Sequence, residues 1–119
     1  MADKVNIADK FHLFTDQWSP RLVGEINDMH IKLVRIHGEF IWHTHETEDE
    51  MFYVVAGQMV MKFRDRDVVV EPGEFIVIPH GEEHMPVAEE ETQIMLIEPA
   101  GTVNTGGEVS HRTKTSIRI

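Results

Sequence analysis

The sequence predicts an all-β protein, a sandwich or barrel of short antiparallel strands. From Arg21 onward, short apolar runs alternate with turn residues. The connections between runs are only a few residues long, which joins antiparallel neighbours and leaves no room for crossovers. No alternation of strand and helical pattern appears, which disfavours a parallel sheet. At 119 residues and 13.7 kDa the chain is expected to form one domain spanning residues 1–119.

At the N-terminus, Asn6 with Asp9 three residues on, then Phe11, Leu13 and Phe14, reads as a capped helical turn or a short first strand. The β-runs expected after it are Leu22 to Ile26, Met29 to His37, Phe40 to His45, Met51 to Val55, Gln58 to Phe63, Val68 to Val70, Glu74 to Ile78, His84 to Val87 and Gln93 to Ile97. Turns fall at Asn27-Asp28, Gly38, Ala56-Gly57, Arg64 to Asp67, Pro72-Gly73 and Pro79 to Glu83, where residues tolerate positive φ or fix φ near −65°. After Pro99 the segment 100–119, rich in Gly, Thr and Ser, has little periodicity and reads as a tail that wraps the barrel or frays.

Composition narrows the partners. Eleven Lys and Arg against 21 Asp and Glu give a net charge of −10, so nucleic acid and anionic membrane surfaces are disfavoured. No apolar run approaches the roughly 20 residues of a membrane span. The first residues, MADKVNIADK, lack a secretory-signal pattern, so a cytoplasmic location is the default expectation. With no cysteine, histidine and carboxylate are the available metal ligands.

Those ligands cluster. If Phe40 to His45 is a strand, His43 and His45 share a face. Glu50 follows the acidic loop 46–49, and His84 comes from a separate hairpin behind Pro79 and Gly81. Three imidazoles and one carboxylate suit one divalent transition metal, Fe, Mn, Co, Ni, Cu or Zn, and suit Ca or Mg poorly. An octahedral ion would keep two positions open.

These residues lie on two motifs that resemble those of the cupin superfamily. The first is GEFIWHTHETEDEMFYVVAG, Gly38 to Gly57, with His-x-His, four residues, Glu, six residues and Gly. The second is GEFIVIPHGEEH, Gly73 to His84, with Gly, five residues, Pro-x-Gly, two residues and His. Fifteen residues separate them. Gly38 lies one residue closer to the first histidine than the family's usual spacing, and Ala88 stands where many cupins carry asparagine. The resemblance implies a double-stranded β-helix, or jelly-roll barrel, with motif core 38–84. It also implies metal ligation by His43, His45, Glu50 and His84. The chain is most similar in kind to small single-domain cupins labelled mannose-6-phosphate-isomerase-like.

Strand parity sets Ile41, Phe52, Val54, Met61, Phe63 and Pro86 toward the barrel interior, where they are expected to line an apolar pocket beside the metal. Lys32 or Arg35 could reach in from a neighbouring strand. His12, His30, His37 and His111 lack a partner at ligand spacing, and His80 is expected to face solvent. The expected function is that of a metal-dependent enzyme acting on a small oxygen-bearing metabolite, by dioxygenase-type or isomerase-type chemistry. The competing reading is a non-catalytic small-molecule binding or sensory barrel. A dioxygenase needs no side-chain base; an isomerase does, and Tyr53, His80 and Lys62 are the candidates. Outward apolar parity, assigned to Met51, Tyr53, Val55, Ile76, Ile78, Ile94 and Leu96, predicts a homodimer.

Overall fold

A computed structural model describes residues 2–119. Helix α1, Ile7–Phe11, forms because Asn6 caps it: the Asn6 Oδ1 accepts the Asp9 backbone N–H at 2.9 Å. That decides between helix and strand at the N-terminus. One turn and a half cannot persist alone in water, and tertiary contacts hold it. Phe11 is fully buried against Phe14 and Leu33, and Arg35 donates to the carbonyls of Phe11 at 2.6 Å and Phe14 at 2.9 Å.

Seven strands follow: β1 Arg21–Ile26, β2 Met29–Glu39, β3 Glu50–Ala56, β4 Met59–Lys62, β5 Asp67–Val70, β6 Phe75–Ile78 and β7 Met85–Pro99. A two-residue strand β8, Ile117–Arg118, ends the chain. All pairings are antiparallel except β8, which runs parallel to β1. The strand β7 is central. Its first residues pair with β4 and the end of β2, and its later residues pair with β2 on one side and β3 on the other. The sheet curls around one core in which Val34, Ile36, Phe52, Val54, Met59, Met61, Phe63, Val70, Ile78, Ile94 and Leu96 meet. This is the cupin-type barrel. Among the described residues no helix is long and apolar enough to cross a membrane.

Three expectations are corrected. Phe40 to His45 is not a strand: apart from one isolated bridge between His43 and His84, it is a loop. Gly38 is not a turn but lies inside β2, at a bulge in its register with β7, with φ of +83°. The runs His84 to Val87 and Gln93 to Ile97 merge, from Met85 on, into one strand that runs through Glu89, Glu90 and Glu91 with their side chains in solvent. These three residues form the bulged side of the register shift opposite His37, between the Ile36–Thr92 and Gly38–Ala88 pairs.

The outward face also differs from the expectation. Cross-strand partners share a face, and the register pairs Glu50 with Ile78, Phe52 with Ile76 and Leu96, and Val54 with Ile94. Ile78, Ile94 and Leu96 are therefore buried inside, and Ile76 packs on the core. The outward neighbours of Met51 and Tyr53 are instead Val77 and Phe75 on β6 and Ile97 and Met95 on β7.

The tail wraps; it does not fray. Asn104 Nδ2 donates to the Arg112 carbonyl at 2.8 Å, the Thr105 and Thr113 hydroxyls lie 2.7 Å apart, and Arg112 donates to the Glu39 carbonyl at 3.0 Å. Thr105 is fully buried.

Candidate metal centre

Three separate parts of the chain build the site. The loop after β2 brings His43 and His45, the first residue of β3 is Glu50, and His84 immediately precedes β7. His43 and His84 exchange both backbone hydrogen bonds, at 3.1 and 3.0 Å, which fixes the two histidines side by side. The turn before His84 is locked in the same way, since the Gly81 N–H donates to the His45 carbonyl at 2.8 Å. Gly81 has φ of +83°, a conformation that favours glycine.

His43, His45, Glu50 and His84 are all buried and each offers a ligand atom within 4.8 Å of the others. Two of the three rings are oriented by their second nitrogens, while His45 Nδ1 is buried without a hydrogen-bond partner. His43 Nδ1 lies 3.0 Å from the Ile41 carbonyl and His84 Nδ1 lies 2.8 Å from the Glu82 carbonyl. Each Nδ1 therefore carries the proton, and each Nε2 presents a lone pair to the cluster.

The fit to a metal ion rests on groups left without partners. His45 Nε2, His84 Nε2 and Glu50 Oε1 are buried and have no hydrogen-bond partner, although Glu50 Oε1 lies 2.9 Å from the first and 3.3 Å from the second. Buried polar atoms are normally satisfied, and orphaning several together is costly. A cation bound at their common focus would satisfy all of them, and the nitrogen and carboxylate donors match a borderline divalent transition metal.

Electrostatics point the same way. Burial, and then the proximity of His84, lower His43 to about 4, so its imidazole is neutral and able to ligate at neutral pH. Burial also works to lower His45, but its contact with Glu50 and the charge of that carboxylate outweigh this and raise it. Burial alone would raise Glu50; its contacts with His45 and His84 hold it well below the usual carboxylate range instead.

A cavity of about 40 Å³ adjoins the cluster. Phe52 and Pro86 line it. Val54, Met61 and Phe63 are buried in the barrel core, and Ile41 is half-buried with its carbonyl turned to His43; none of the four is among the lining residues. Once the 40–45 segment is a loop, strand parity no longer governs Ile41. Val54, Met61 and Phe63 point inward as parity requires but pack into the barrel core.

Sequence reasoning missed several wall residues, Trp18 and Phe40 above all. Trp18 sits at φ of +58°, a strained backbone for a bulky residue. Its indole donates to the His37 carbonyl at 3.0 Å and stacks on Phe40 at 4.8 Å, and Phe40 in turn meets His43 edge-on. Nothing in the local pattern around Trp18 signals this, because it reaches the site through the fold.

Of the two basic candidates, Lys32 turns inward and Arg35 outward to α1. Lys32 Nζ lies 3.1 Å from Glu98 Oε2, and both side chains are almost wholly buried. Glu98 lines the cavity. Burial and then the charge of Glu50 push it up to about 8, against the pull of Lys32. The three candidate bases face elsewhere: Tyr53 is on the outer face of β3, Lys62 pairs with Asp67 at 4.0 Å, and His80 bonds Asp49 at 2.8 Å in solvent.

Comparison with known proteins agrees with this construction. The cupin domain matches residues 32–98. A crystal structure of a cupin-2 domain containing protein from Shewanella frigidimarina superposes with a TM-score of 0.79 and 49% identity, covering 80% of this chain and 93% of that one. A Neisseria meningitidis protein of known structure gives a TM-score of 0.76 and 26% identity, over 82% of this chain and 100% of that one. The uncharacterized protein YdbB from Bacillus subtilis is 33% identical over 63 residues, 52% of this chain and 56% of that protein, so the chain spans about half the length of that curated relative. Since the matched domain takes in more than half of its residues and carries all four clustered side chains, this chain belongs to the cupin domain family.

Proposed function

We propose that this chain is a metal-dependent enzyme acting on a small oxygen-bearing molecule, with dioxygenase-type chemistry the best match to its cavity. The observation that carries the reading is the convergence of three unpartnered buried atoms, His45 Nε2, His84 Nε2 and Glu50 Oε1, beside a small apolar cavity. His43, His45, Glu50 and His84 would hold one divalent transition metal. The bound ion would supply Lewis acidity or, as iron, redox chemistry with dioxygen, at positions the four side chains leave open.

The residues around it favour oxygen chemistry over sugar isomerisation. Trp18, Phe40, Phe52, Ile94 and Leu96 exclude water and offer no hydrogen bond to a sugar hydroxyl, whose burial without partners is costly. Glu98 is the one titratable lining residue outside the ligand set. It would be the base if an isomerase step occurred, in place of Tyr53, His80 or Lys62. Oxygen uptake by iron-loaded protein, followed across diketones, phenols and sugar phosphates, tests this. Uptake with a diketone or phenol supports it; turnover of a sugar phosphate without uptake replaces it with the isomerase reading.

We also propose that the chain is a homodimer. Its outer face stacks Val77, Met51 and Ile97 in one cross-strand row and Phe75, Tyr53 and Met95 in the next. Phe75 and Val77 are 62% and 52% exposed. The helix α1 and its loop pack with Val23, Leu33, Val55, Met95 and Ile119, and a second copy would cover the rest of the outer face.

A further inference from the structure

A second, larger cavity lies between the tail and strands β1 and β2, with a volume of about 470 Å³. It is within the roughly 300–1,000 Å³ range of small-molecule sites and is larger than the cavity at the metal cluster, at about 40 Å³. The two adjoin. Asn104 lines both, and the Lys32–Glu98 pair stands between them, Lys32 facing the larger cavity and Glu98 the smaller.

The chemistry of the lining is unlike that of the protein around it. In a chain of net charge −10, no carboxylate lines this cavity, while His30, Lys32 and Lys114 do, together with the hydroxyls of Thr115 and Ser116. Two of these side chains are held from behind: Lys32 Nζ lies 3.1 Å from Glu98 and His30 Nε2 lies 3.1 Å from Glu25. Lys114 forms no ion pair among the described residues. Its backbone N–H is held by the Asn104 side chain at 3.0 Å, which anchors the segment that carries it. Two lysines, the buried Lys32 and the exposed Lys114, therefore set a positive field across a concave, hydroxyl-lined space. Concavity strengthens such a field, and ammonium and hydroxyl donors together match an oxyanion.

We propose that this cavity binds a small organic oxyanion, a carboxylate or phosphate ester, at a site separate from the metal cluster, with Lys114 and Lys32 as its cationic contacts. The anion would lie against the tail, which supplies Lys114, Thr115 and Ser116, so the segment after Pro99 is a functional wall and not only a wrapping.

Titration calorimetry on chelator-stripped protein at constant ionic strength tests it, with inorganic phosphate, malonate and uncharged malonamide as probes. One site per chain is expected for phosphate, malonate or both, with malonamide silent; which anion is preferred identifies the source class. Lys114→Ala should weaken that binding at least about fivefold, while Lys62→Ala, at a half-buried lysine on β4 that does not line the cavity, leaves it unchanged. His84→Ala, which disables the metal cluster, should keep the anion affinity within about twofold, so failure of the metal reading and failure of this one are told apart. Absence of heat with both anions up to about 10 mM overturns the proposal. So does equal affinity in the Lys114→Ala variant, equal binding of malonamide, or loss of anion binding in His84→Ala.

Discussion

The α-carbon of Gly106 faces the carbonyl oxygen of Thr44 so closely that any side chain at 106 would overlap it. Thr44 is the residue between His43 and His45, so the tail is pressed against the loop that carries two of the candidate ligands. Gly106 also has φ of +61°, where a side chain adds strain. The variant Gly106→Ala should therefore cost about 2–3 kcal/mol in urea denaturation and also weaken metal uptake. Gly101, with φ of +85° but open space around its α-carbon, is the control: Gly101→Ala should cost only about 1 kcal/mol and leave metal uptake alone. Similar losses in both variants would mean that the contact with Thr44 contributes nothing.

The cluster should take up close to one transition metal per chain, with Ca and Mg failing to compete. His45→Ala and His84→Ala should each weaken that uptake at least tenfold, because each removes an oriented donor that water replaces poorly. His111, exposed and remote in the tail, should be replaceable by alanine without effect. Elemental analysis after reloading is the measurement; less than about a tenth of an equivalent in the parent protein would defeat the metal assignment.

His43 makes the metal-free protein sensitive to acid. Its pKa is lowered by burial from 6.5 to about 4. As pH falls through 6.5 the unfolded chain takes up a proton that the folded chain refuses until near 4, so stability is lost across that window. Glu98, raised to about 8, acts in the opposite sense between its unfolded value of 4.5 and 8, so the parent profile alone conceals the effect. The difference between parent and His43→Gln isolates it. The parent's stability relative to the variant should drop by on the order of 3 kcal/mol between about pH 7 and pH 4, and stay level above pH 7. A level difference throughout would show that His43 titrates normally in the fold.

The outer face of β3, β6 and β7 should carry the homodimer. Light scattering at micromolar concentration is expected to give about twice the 13.7 kDa chain mass. Phe75→Glu, which sets a charge in the apolar row beside Tyr53, should weaken association at least tenfold and leave the barrel folded. A parent mass near that of one chain would rule the dimer out.

Much of the site was legible in the sequence because its donors are fixed by spacing and turn chemistry. His43, His45, Glu50 and His84 are set by two short motifs whose glycine and proline turns admit few backbone paths. The reason given for the geometry was wrong in one respect: His43 and His45 converge from a loop tied to His84, not from the pleat of a strand. Which face of an apolar strand points inward was less legible. Phe75-Ile76-Val77-Ile78 and Ile94-Met95-Leu96-Ile97 are apolar on both sides, so alternation carries no phase. Only pairing with β3, whose Glu50 must face the cluster, sets it. Trp18, Glu98 and Asn104 were not legible at all, because each reaches its cavity through contacts between distant parts of the chain.

The central position of β7 has a consequence for how the chain acquires its structure during synthesis. β2, β3 and β4 each depend on it for a neighbour, and its last residue, Pro99, pairs with the first residue of β2, Met29. Until β7 begins to leave the ribosome, only the β1–β2, β4–β5 and β3–β6 pairs can form, and most of the β2 and β3 pairing waits for residues 92–99. The nascent polypeptide therefore carries three waiting strand edges, with Val34, Phe52 and Met61 in reach of solvent. Closure comes late and in one cooperative step, through contacts of long sequence separation, which are the slow ones. Slowed elongation before β7 should lengthen exposure to chaperones and aggregation, whereas the same delay within the tail should matter little.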